Sequence, residues 1–169
     1  MSWAHVHLAL NHVPVVGILV GLLVLGFGIF RRSRELTRSS FWLLAGLALI
    51  TVFVYLTGEP AEELVEGLPG VSEPLIEQHE EAALVTMVGT TILGLAAIAG
   101  LLRERGGRPA GGWYSKSVLV LAFGVTALLG WTANSGGQIR HSEIRSAREL
   151  VGTEQPVDAD PEAPDEEQN

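Results

Sequence analysis

Between Leu8 and Phe30 no residue carries a formal charge at neutral pH. A helix over that stretch, rising about 1.5 Å per residue, crosses the roughly 30 Å hydrocarbon layer of a bilayer. Three more stretches of the same kind follow, about 41–57, 82–102 and 117–133, and none of them contains Asp, Glu, Lys or Arg. Inside lipid every backbone donor and acceptor must find a partner within the protein, which four such segments achieve only as helices. The expected fold is therefore all-α: an integral membrane four-helix bundle spanning residues 1–152.

The loops between these segments alternate in charge. The first, residues 31–38, holds Arg31, Arg32, Arg34 and Arg38, and the third, residues 103–116, holds Arg103, Arg105, Arg108 and Lys116 against one acid. The connector at 58–81 holds eight glutamates and no base. The positive-inside rule assigns the two basic loops to the cytoplasm of a bacterial inner (plasma) membrane, with both termini and the acidic connector on the outer, periplasmic side. The first positive charges follow the first apolar run instead of preceding it, so a retained span is expected there and not a cleaved leader.

Composition removes several classes. With no cysteine in the chain, disulfides, thiolate metal sites and iron–sulfur clusters held by this chain alone are excluded. The net charge of −8 arises mostly after Gly152, where seven acids and no base stand, so residues 1–152 come to −1 and no nucleic-acid partner is indicated. Residues 153–169 read as a disordered acidic tail. Ser115 and Ser117 have no histidine on their side of the membrane, and no enzyme constellation is visible.

Finer punctuation is also legible. Pro14 opens or kinks the first span, and Gly17 and Gly21 form a small-xxx-small pattern that lets another helix approach. Pro60 and Gly67 bracket a short helix at 61–66, and Ser72 caps a long helix that carries His79 into the third span. Gly136 and Gly137 read as the stop of the fourth span. Residues 138–151 then read as an amphipathic helix on the outer surface, with Arg140, Arg145 and Arg148 interleaved among apolar positions. Each half repeats histidine, span, basic loop, span, glycine: His12 to Gly58, then His79 to Gly136. Expected inward faces are His79, Ala83, Thr86, Thr90 and Ala97 on the third helix, and Gly124, Ala127, Trp131 and Asn134 on the fourth.

This topology brings all five histidines, His5, His7, His12, His79 and His141, to the outer rim. The paired-histidine start running into Asn11-His12-Val13-Pro14, Tyr55-Leu-Thr-Gly-Glu-Pro60, Glu77-Gln-His79-Glu80 and Gly136-Gly-Gln-Ile-Arg-His141 resemble a bacterial four-span family classed as a domain of unknown function. The resemblance covers residues 5–146. Because some members are joined to Rieske-type domains or lie near respiratory genes, it implies a redox setting by association.

Two site chemistries fit the rim. Haem b between imidazoles would use His79 first, with His12 as its partner and His141 as a third candidate, while Arg140 and Arg145 pair with propionates. Zinc or copper would instead draw on His5, His7, His12, His79, Glu80 and His141. The competing reading is a cofactor-free accessory subunit of a larger membrane redox or photosynthetic complex, meeting other membrane subunits through Gly17 and Gly21, the acidic connector and the tail. Lipid is a partner in every case.

Overall fold

The computed structural model describes residues 3–64, 71–106 and 112–140. Six helices follow in order: α1 (Trp3–Leu10), α2 (His12–Phe30), α3 (Arg34–Leu56), α4 (Glu59–Glu62), α5 (Glu73–Arg105) and α6 (Gly112–Arg140). No strand is present among the described residues, and four units are long and apolar enough to cross a membrane: α1 with α2, then α3, α5 and α6. The all-α, four-span expectation holds. The tail and residues 141–151 of the expected surface helix lie outside the described residues, while residues 138–140 of that stretch continue α6 instead of starting a separate helix.

The boundaries have local causes. Pro14 has no N–H to offer the Leu10 carbonyl, and the helix is interrupted three residues earlier, at Asn11, although Asn11 N still donates to His7 O at 2.9 Å. Helix α3 starts seven residues before the uncharged stretch, because the Ser33 side chain accepts from Leu36 N at 3.3 Å and caps it. The turn before it forces Arg32 to φ 51°, the one non-glycine positive φ among the described residues. Helix α5 begins behind Ser72, as expected, and runs unbroken past the third span. The short helix after Thr57 starts at Glu59, two residues earlier than expected.

The long helices close into a ring in which α2 packs on α3, α3 on α5, α5 on α6 and α6 on α2. Glycines set the closest approaches. A Cβ at Gly17 or Gly21 would meet Leu47 at 2.5 Å or Leu44 at 2.7 Å, one at Gly100 would meet Phe41 at 2.5 Å, and Gly94 lies hard against Ala48. The helix that approaches Gly17 and Gly21 is thus α3 of the same chain, which withdraws them as a surface for another subunit. Two of the buried hydroxyls are satisfied within their own helix: Thr51 donates to Leu47 O at 2.8 Å and Thr90 to Thr86 O at 2.7 Å. At the basic end, Tyr114 fastens α6 to α5 by donating to Ala96 O at 2.7 Å, under the guanidinium of Arg103.

The fold is a duplication in space. The offset of 72 residues that separates His7 from His79 carries every buried position of α2 (Pro14, Ile18, Gly21, Leu25, Gly28) onto a buried position of α5: Thr86, Thr90, Leu93, Ala97, Gly100. The offset of 78 that separates Gly58 from Gly136 carries Thr37, Ser40, Leu44, Leu47 and Thr51 of α3 onto Ser115, Val118, Ala122, Val125 and Leu129 of α6, all buried. Two like hairpins run in the same sense through the bundle, related by a pseudo-two-fold along its length.

That correspondence corrects the fourth helix. Its buried face is Ser115, Val118, Ala122, Val125, Leu129 and Ser135, whereas Gly124, Ala127, Trp131 and Asn134 are exposed. Small residues do not distinguish a packed face from a lipid-facing one, because lipid tails and core side chains are equally apolar. On the third helix the expected face is the packed one, with Thr86, Thr90 and Ala97 buried.

Candidate ligand site at the histidine end

At the end of the bundle opposite the basic loops, each hairpin builds the same small structure. The His7 ring reaches the last turn of α3, where Nδ1 donates to the Val54 carbonyl and to Thr57 Oγ1, both at 3.1 Å. Thr57 Oγ1 in turn donates to the Val54 carbonyl at 2.7 Å. In the second hairpin His79 Nδ1 donates to the Thr132 carbonyl at 3.1 Å and to Ser135 Oγ at 3.2 Å, and Ser135 Oγ donates to the Thr132 carbonyl at 2.9 Å. The spacing repeats as well: the accepting hydroxyl stands three residues after the accepting carbonyl in each case.

These contacts fix the imidazole tautomer. A carbonyl oxygen only accepts, so the proton sits on Nδ1 in both rings and the lone pair is left on Nε2. Among the described residues neither Nε2 has a hydrogen-bond partner. This is the arrangement in which histidine serves as a metal ligand, one ring nitrogen tied to a carbonyl and the other presented to the metal. Both rings stand at the same end of the bundle, one on each hairpin.

A glycine backs each ring. A Cβ on Gly136 would stand 2.8 Å from His79 Cε1, and one on Gly58 would stand 3.8 Å from His7 Cε1. Helix α6 continues through Gly136 and Gly137 to Arg140, which corrects their reading as a stop. Gly136 is there for the close approach of the His79 ring, not for a left-handed cap. Beneath His79, the Thr86 hydroxyl lies 2.8 Å from that of Thr132, which also donates to Ala82 O at 3.0 Å, so α5 and α6 are pinned one turn below the ring.

The other candidate residues fall elsewhere. His5 and His12 lie on one exposed face of the N-terminal helices, away from the side that buries Pro14 and Ile18. Glu80 is exposed on the rim. Arg140 is the last residue of α6, four residues beyond Gly136, while His141 and Arg145 lie outside the described residues. His79 and His7 make the same set of contacts, so His7, and not His12, occupies the position in the first hairpin equivalent to that of His79. No group of three or more His, Asp or Glu side chains able to hold a metal ion forms among the described residues. The hydrogen-bond partners of the rings that sequence reasoning missed are Thr57 and Ser135; a hydroxyl residue directly before a glycine at the end of each even-numbered span was the available signal.

Fold and rim together define a polytopic four-helix membrane protein made of two like hairpins, each presenting one imidazole at the same end. The chain belongs to the family described as predicted membrane protein (DUF2231), whose model matches residues 4–143. Nothing matches among curated proteins or among solved structures.

Proposed function

We propose that the paired imidazoles of His7 and His79 hold a b-type haem at the outer face of the membrane, in an electron-transfer setting. The observation that supports this most is the doubled Nδ1-to-carbonyl contact, which leaves two Nε2 lone pairs at one end of the bundle. Haem asks the protein for only two axial ligands, since the porphyrin supplies the other four nitrogens. A zinc or copper ion would draw at least three side chains, so the two-ligand geometry favours haem over a bare ion. A propionate would call for a guanidinium, the role expected of Arg140 and Arg145 from the sequence, because guanidinium binds carboxylate in a two-pronged fork.

In this reading the chain's own residues supply orientation and basicity. The Val54 and Thr132 carbonyls hold the rings in place and raise the electron density at Nε2. The exposed glutamates of the rim keep that face negative and so favour a positively charged redox partner. The basic loops lie in the cytoplasm and both termini outside.

The test is direct. The protein, expressed with ample haem and purified in mild detergent, is expected to show the Soret and split visible bands of a six-coordinate low-spin haem at one per chain. His12→Ala should keep that spectrum and His79→Ala should lose it. A colourless, metal-free protein overturns the proposal and leaves the accessory-subunit reading.

A further inference from the structure

At the basic end of the bundle, a cleft of roughly 200 Å³ opens between α3 and α5, lined by Arg34, Glu35, Arg38, Trp42, Leu101, Glu104 and Arg105. The side chains of Arg34, Arg38 and Arg105 form no hydrogen bond or ion pair among the described residues, even though two carboxylates share the cleft with them. Arg103, on the same turn of α5, is turned away over the Tyr114 ring at 5.2 Å and belongs to the α5–α6 side. Three guanidinium groups against two carboxylates leave one net positive charge. Such a cleft complements a single phosphodiester, which guanidinium grips through paired N–H donors.

The walls of the cleft point to the source of that phosphate. Above Arg34 and Arg38 the same face of α3 continues through Trp42, 52 % exposed, to Leu49, 73 % exposed. Above Arg105 the corresponding face of α5 continues through Leu102 and Ile98, both exposed. The charged floor therefore opens onto two apolar rails leading toward the middle of the membrane. An inorganic phosphate has no use for such rails; acyl chains attached to a phosphate lie along them. An indole at this depth is also the usual interfacial anchor. Basic pockets between spanning helices on the cytoplasmic side are a recurrent way of holding anionic headgroups.

The duplication sharpens the case, because the matching seam between α6 and α2 does not reproduce the cleft. Under the two offsets, Arg34 and Arg38 correspond to Gly112 and Lys116, Glu104 to Arg32 and Arg105 to Ser33. The three-arginine arrangement is a property of one seam only. We infer that the α3–α5 cleft binds one anionic phospholipid per chain, its phosphodiester held by Arg34, Arg38 and Arg105 and its acyl chains lying over Trp42, Leu49, Ile98 and Leu102.

The experiment is native mass spectrometry of the full chain released from detergent micelles doped with phosphatidylglycerol, phosphatidylcholine or inorganic phosphate. One retained phosphatidylglycerol per chain is expected, at least about tenfold over phosphatidylcholine, and an excess of inorganic phosphate should not displace it. The triple change Arg34→Gln, Arg38→Gln, Arg105→Gln should abolish retention, while Lys116→Gln, an exposed charge on the other seam, should leave it intact. A circular-dichroism melt of each variant separates lost binding from lost folding. Equal retention of the two lipids, displacement by inorganic phosphate, or retention unchanged in a folded triple variant overturns the proposal.

Discussion

The two hairpins make the same imidazole clamp with different stiffness. In the second, His79 rides on a helix that runs without interruption from Glu73 to Arg105 and is pinned beneath the ring by Thr86 and Thr132. In the first, His7 sits on an eight-residue helix, and Pro14 leaves the Leu10 carbonyl without its usual donor. The glycine behind each ring follows the same division, since Gly136 is pressed against His79 while Gly58 stands at ordinary van der Waals distance from His7. A duplicated element thus keeps its hydrogen-bond chemistry and diverges in mechanical support. One half acts as the anchor, and the other as a member able to adjust.

Under the haem proposal, that contrast is best broken by removing one imidazole at a time. His79→Ala is expected to abolish haem retention, whereas His7→Ala should leave a weakly held, five-coordinate high-spin haem on His79; visible spectroscopy distinguishes the two. Equal losses would erase the difference between anchor and adjustable member. Next comes Gly136→Ala, whose new Cβ must displace the His79 ring or α6 at a cost of about 1–3 kcal/mol, read as roughly a 5- to 150-fold loss in haem affinity by titration. Gly58→Ala, whose nearest His7 atom is a full ångström farther away, should cost less than tenfold.

Removing a single acceptor has a smaller effect. Ser135→Ala or Thr57→Val leaves the carbonyl as acceptor and should cost about 0.5–1.5 kcal/mol, visible as a lowered midpoint in a thermal melt of the haem-loaded protein. Smallest is Pro14→Ala, which gives the Leu10 carbonyl its donor back. Hydrogen exchange of the amides of residues 5–10 should slow, with no loss of haem. If exchange there already matches that of residues 75–85 in the unaltered protein, the first half is no softer than the second.

The sequence carried the architecture because membrane insertion is decided by features that are local in the chain. Uncharged runs locate the spans, and loop charge orders them. The resemblance to a four-span family and the histidine-to-glycine repeat were legible for the same reason. The identity of the histidine in the first half was not. His7 and His12 are both followed by apolar residues, and only the helical phase set by the packing of Pro14 and Ile18 turns one inward and the other outward. The packed face of α6 is not legible in the sequence, because glycine and alanine satisfy a close helix contact and a lipid contact alike. The role of Gly136 is hidden too, because a glycine chosen for ring contact and one chosen for a left-handed cap look identical in sequence.

The turn between α2 and α3 reveals a trade made at the opposite end of the molecule. Arg32 holds φ 51°, a conformation that glycine adopts freely and that costs other residues roughly 1–2 kcal/mol. Glycine would ease the bend but remove a cation from the three-residue turn between α2 and α3. The backbone tolerates a left-handed arginine there, so the turn keeps its positive charge beside Arg31 and Arg34 at a cost in local backbone energy.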